Sequence, residues 1–158
     1  MKRTGSWALW AAAAMAVVPA AAQEAFDACN VFTAEDAKKV LGDSASPEPS
    51  NPKVRRPKVV LGCAYHGSKD GKAISATAQF KFARTPDDQA RAFEEARLQL
   101  QTKPMLFPGA EAFWAGKSGQ MHVRKGKAWV TITVGSANVR EREVEPAKRV
   151  AQSIVKKL

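Results

Sequence analysis

From Ile74 to Phe82 the chain alternates without a break. Ile74, Ala76, Ala78, Phe80 and Phe82 are apolar, while Ser75, Thr77, Gln79 and Lys81 between them are polar. A period of two sends successive side chains to opposite faces, so this stretch predicts a half-buried antiparallel strand and a fold with an apolar layer on that side. The segment Ala128–Gly135 repeats the pattern, with Val130, Ile132 and Val134 set against Trp129, Thr131 and Thr133. Shorter strands are expected at Lys58–His66, Ala112–Ala115 and Gln120–Arg124. Glycines at Gly67–Gly71, Gly116–Gly119 and Lys125–Gly126 mark the turns.

Three helices punctuate these strands. Thr33 is placed to cap a helix ending at Leu41, with Asp36 in its acidic third position and Gly42 just beyond its end. Thr85-Pro86-Asp87-Asp88 opens a second helix, with Ala90, Phe93, Ala96 and Leu100 expected on its buried face. A third, from about Arg142 to Leu158, carries Val144, Val150, Ala151, Ile154 and Leu158 at helical spacing. Between the first helix and the first strand, Pro47, Pro49, Pro52 and Pro57 make Asp43–Pro57 a surface loop. The order α-β-β-α-β-β-β-α predicts an α+β domain with about five antiparallel strands and three helices. A chain of 158 residues, 45% hydrophobic and 25% charged, suits one such domain and excludes a multidomain enzyme or a repeat array.

The first 22 residues read differently. Lys2 and Arg3 precede an apolar stretch from Trp7 to Val18, broken by Pro19 and followed by Ala20, Ala21 and Ala22. This is the pattern of a secretory signal, too short to cross a bilayer, which leaves 23–158 as the mature domain. A periplasmic or secreted protein with no transmembrane segment in its mature chain is the expectation. In that oxidising setting Cys29 and Cys63, the only cysteines, are expected to form a structural disulfide. Asp27, two residues before Cys29, does not suit a lipid-attachment motif.

Cys29-Asn30-Val31-Phe32-Thr33, leading to Ala37 and Leu41-Gly42, is followed by Gly62-Cys63-Ala64-Tyr65 and later by Pro108-Gly109-Ala110-Glu111-Ala112-Phe113-Trp114. This series resembles a group of small secreted envelope proteins that includes actinobacterial lipoproteins and the extracellular sensor domains of mycobacterial kinases. The resemblance spans nearly the whole mature chain. It implies an α+β sandwich with a helix–strand disulfide, and it brings no catalytic residues with it. The chain departs from the group in lacking the lipid-attachment motif and in having Ala110 at a glycine position.

No nucleophile elbow, phosphate-binding loop, zinc-protease motif or dinucleotide fingerprint occurs. A non-catalytic protein without cofactor or metal is therefore expected, a small hydrolase being the distant alternative. Met121, in phase with Val123, is expected in the core. The formal net charge of +10 falls to +8 without Lys2 and Arg3, and acids are absent from Pro49 to Lys69 and from Ala112 to Arg140. Such a surface suits an anionic envelope component or an acidic protein partner, and no nucleic-acid-binding motif accompanies it. Strand phase places His66, Lys81, His122, Arg124 and Trp129 on one polar sheet face. With Arg55, Arg56 and Lys58 of the proline-rich loop, they are the candidate ligand-binding residues. An adaptor that binds another envelope protein is the second reading.

Overall fold

A computed structural model of the protein describes residues 26–49 and 61–158. The proposed signal at 1–22 and the candidate residues Arg55, Arg56 and Lys58 lie outside them. The architecture is α+β, with the expected antiparallel sheet covered on both faces by helices. Chain order runs α1 (Ala28–Val31), α2 (Ala34–Leu41), β1 (Gly62–Lys69), β2 (Lys72–Phe82), α3 (Pro86–Gln99), β3 (Pro104–Met105), β4 (Glu111–Ala115), β5 (Gln120–Lys125), β6 (Ala128–Gly135) and α4 (Val144–Val155). The sheet order is β1-β2-β6-β5-β4-β3, antiparallel throughout.

Two elements exceed the expected five strands and three helices. Pro104 and Met105 pair with Phe113 and Ala112 to add β3, a two-residue edge strand too short to show a period. One turn of helix, α1, forms before α2 because Asp27 accepts a hydrogen bond from the Cys29 amide at 2.8 Å. The first strand also runs past its expected end at His66, and the first three residues of the expected span, 58–60, lie outside the described ones. It runs through Gly67 to Lys69, and the turn into β2 is the Asp70–Gly71 pair, both at positive φ. Gly67 serves a close approach instead: a Cβ there would stand 2.9 Å from the Ser44 hydroxyl and 3.3 Å from its carbonyl oxygen.

Period-two alternation sorts the sheet as anticipated. Cys63, Tyr65, Ala76, Ala78, Phe80, Met121, Val123, Val130, Ile132 and Val134 are buried in one core with α1, α2 and α4. On that side α2 packs on β1 and β2, and α4 on β5 and β6. The Cys29–Cys63 disulfide ties α1 to β1, beside an edge-to-face contact of Phe32 and Tyr65 at 5.3 Å. The opposite face carries α3 alone among the described helices, packed on β5 and β6. A second, smaller apolar cluster forms there from Phe93, Phe113 and Ala115, with Trp129 against it.

Candidate functional site

The strand registers place the α3-side residues in rows. Glu111, Arg124, Trp129 and Lys81 form one row across β4, β5, β6 and β2. Phe113, His122, Thr131, Gln79 and Gly62 form the next, and Thr133, Thr77 and Ala64 follow. Lys81, His122, Arg124 and Trp129 are therefore brought together, as strand phase suggested. His66 shares the face but lies in the row of Ser75 and Gly135, six residues along β2 from Lys81 and roughly 20 Å away.

The four clustered residues have different chemical states. Arg124 is engaged: its guanidinium forms a two-pronged pair with Glu111, its Nε at 3.0 Å from Oε2 and its Nη2 on Oε1. His122 is buried beneath α3, its ring stacked on Phe113 at 4.6 Å. Burial pushes its pKa down to about 4, so the imidazole is neutral at pH 7. The Trp129 indole N–H donates to His122 Nδ1 at 3.2 Å, and the Thr131 hydroxyl lies 3.3 Å from the same nitrogen. An indole can only donate, so Nδ1 must accept and the proton of the neutral ring sits on Nε2.

Lys81 is the available cation. It is exposed, rests over the Trp129 ring at 5.2 Å, and pairs with no carboxylate among the described residues. Along the same face Gln79 is exposed and Thr77, Thr131 and Thr133 are half-buried, while Ser75, also half-buried, lies in the distant row of His66. No acid occupies any α3-side position of β1, β2 or β6. The arrangement can offer one ammonium, one amide and a set of hydroxyls to a ligand, with an aromatic ring beneath the charge.

Three participants escaped the sequence reading. Glu111 neutralises Arg124, and its position follows from the hairpin: Ala115 faces Gln120, so counting outward pairs Glu111 with Arg124. Phe113 supports His122 from the neighbouring strand. Gln89 is fully buried, one turn before Phe93 on the same side of α3. Its spacing to Phe93 is visible in the sequence, but an amide inside an apolar stripe carries no signal of burial. Leu100, expected on that stripe, is exposed instead, because α3 ends at Gln99.

Exposed leucines occur in the stretch from the end of α3 to just beyond β3. Leu106 is 97% exposed, and Leu98 and Leu100 are 60% and 41% exposed. Comparison of the chain with protein-family models, curated proteins and solved structures gives no match.

Proposed function

We propose that this is an exported binding or sensing protein of the cell envelope, without catalytic activity, that recognises an anionic component through the α3-side sheet face. The observation that carries the reading is the absence of any acid from the β1–β2–β6 part of that face, next to the Lys81 ammonium, which pairs with no carboxylate among the described residues. A carboxylate or phosphate ligand would find a charge partner there, hydroxyl and amide donors alongside, and no acid on those three strands. Export is supported by the signal-like pattern of the first 22 residues, and the Cys29–Cys63 disulfide fits an oxidising compartment. Arg55, Arg56 and Lys58 add positive charge in the neighbouring part of the sequence.

Retention on immobilised polygalacturonate and co-sedimentation with phosphatidylglycerol vesicles test the reading. Lys81→Glu is expected to abolish binding to at least one probe, and Lys148→Glu, on α4, to leave it nearly unchanged. Equal loss in both variants, or no binding by the parent protein, would overturn the proposal.

The second reading is an adaptor for another envelope protein. Leu98, Leu100 and Leu106 favour it, because three exposed leucines within nine residues of sequence suit a protein contact. That reading expects salt-insensitive capture of a partner that survives Lys81→Glu and fails with Leu106→Asp.

A further inference from the structure

Among the described residues, three buried side-chain polar atoms have no hydrogen-bond partner: His122 Nε2, Gln89 Nε2 and Gln89 Oε1. All three belong to the layer between α3 and the sheet. Gln89 stands one helical turn before Phe93, and the Phe93 ring rests on Phe113 at 4.9 Å and on Trp129 at 5.5 Å. Those same two rings flank His122, at 4.6 Å and 5.9 Å. Native proteins rarely leave buried polar groups unpaired, and here all three border the same Phe93–Phe113–Trp129 cluster. Turning the Gln89 amide over does not help, since its nitrogen and its oxygen are both unpartnered.

The chemistry of the layer is directional. Trp129 occupies Nδ1 as a donor, which forces the proton onto His122 Nε2. The distal nitrogen therefore presents an N–H, not a lone pair, and calls for an acceptor rather than a metal ion. The Gln89 amide supplies two further N–H donors. The stack on Phe113 and the bond from Trp129 hold the imidazole in one orientation, as a pre-organised donor needs. The helix above is lightly attached: of α3, only Gln89 and Phe93 are buried. Its connections at 83–85 and 100–103 belong to no strand, so a shift of α3 would break no strand pairing.

We propose that the layer beneath α3 is an oxyanion-binding site, in which a carboxylate or phosphate oxygen seats between His122 Nε2–H and the Gln89 amide, with α3 as its movable wall. The site narrows the anion-binding reading above and rests on it. Lys81, over Trp129 at the rim, draws the charged group in; Gln89 and His122 hold its oxygen inside. A neutral donor pair behind a single outer cation favours one compact anionic group, the terminal carboxylate of a sugar acid or a phosphate.

The test uses the full exported chain labelled with 15N-histidine, whose two imidazoles report separately. His66 is exposed and on the far row of the face, which makes it an internal reference. Sodium glucuronate and inorganic phosphate are titrated in turn at constant ionic strength. A saturable shift of the His122 Nε2–H signal, with His66 still, is the expected result, and the probe that produces it identifies the source of the oxyanion. Gln89→Leu is expected to weaken that response at least tenfold while leaving the thermal midpoint unchanged or higher, since it removes an unpaired buried amide. A His122 signal that neither probe moves, or that moves equally in Gln89→Leu, overturns the inner site. If His122 stays still while Lys81→Glu abolishes retention on polygalacturonate, the inner site fails and the surface reading stands. If the parent protein neither shifts nor is retained, both fail.

Discussion

The ammonium of Lys157, two residues beyond the end of α4, bonds the carboxylate of Asp36, in the first turn of α2, across 121 residues of sequence. The same ammonium donates to the Val31 carbonyl at 2.9 Å and so reaches the end of α1 as well. Asp36 also accepts from the Thr33 hydroxyl at 2.9 Å, the Thr33 amide at 3.3 Å and Lys39 Nζ at 3.0 Å. Its side chain is only 4% exposed, so it is a buried charge with its bonding capacity filled. One helix cap thereby joins all three helices of the core side. Burial alone would raise the Asp36 pKa; the bonds from Lys157, Lys39 and Thr33 outweigh it and hold the carboxyl well below the usual range.

Removing Lys157 should therefore cost more than a surface ion pair does. Lys157→Met leaves Asp36 with Lys39, whose side chain is 61% exposed, as its remaining cation among the described residues. A loss of about 2–4 kcal/mol in urea unfolding is expected, toward the range for breaking a buried pair. Lys38→Met, which removes the exposed pair with Asp43, should cost under about 0.5 kcal/mol. Because the folded Asp36 pKa is depressed, its contribution is fully present above its unfolded value of 3.8 and falls away as the pH drops below that.

The disulfide supplies a second, independent tie on α1. Cys29 and Cys63 are separated by 34 residues, and closing a loop of that length contributes about 4 kcal/mol in the chain-entropy description. Reduction, or Cys29→Ser with Cys63→Ser, should lower the urea midpoint accordingly while keeping the far-ultraviolet circular dichroism of the native sheet at low denaturant. A midpoint unmoved by reductant would show that α1 is held by Phe32, Tyr65 and Lys157 alone.

Strand phase was legible because alternation at Ile74–Phe82 and at Ala128–Gly135 is a strict geometric consequence of the pleat. It correctly put Lys81, His122, Arg124 and Trp129 on one side. What phase cannot show is cover. His122 and Arg124 occupy the same polar face, yet one lies under α3 and the other is neutralised by Glu111. The α3 stripe misled for a related reason. Ala90, Phe93, Ala96 and Leu100 form the apolar line on a helical wheel, but the helix lands on a polar sheet face and buries Gln89 with Phe93. Leu100 falls past the helix end, where Gln101 adopts a positive φ of 53° and the chain turns away. β3 was hidden because two residues beginning with proline carry no period.

His122 should give the protein a specific sensitivity to mild acid. Its folded pKa is lowered to about 4 from 6.5, so between those values the unfolded chain binds the extra proton and the folded state does not. Stability is then fully present above pH 6.5 and declines as the pH falls toward 4, by up to roughly 3 kcal/mol. Urea midpoints measured from pH 7 to pH 4 should show this slope. In His122→Phe, which fills the same place against Phe113 with a ring that cannot titrate, the slope over that window should flatten. An unchanged slope would assign the acid sensitivity to other groups.

Phe93 is the one large apolar side chain that α3 buries, and its removal tests whether the helix is a separable layer. Phe93→Ala deletes contacts to Phe113 and Trp129 at the small cluster, while the main core on the opposite face is built without it. Truncating a buried phenylalanine ordinarily costs about 3–5 kcal/mol of global stability. If α3 is held on chiefly by this ring, most of the loss should appear as local opening instead. Amides of 86–99 should then exchange with solvent at least a hundredfold faster in the variant, whereas those of β2 and β6 keep most of their protection. The same opening would uncover His122, so its imidazole should titrate closer to the ordinary histidine value in Phe93→Ala. Uniform acceleration across the sheet and all helices would instead mean that α3 and the core unfold as one unit.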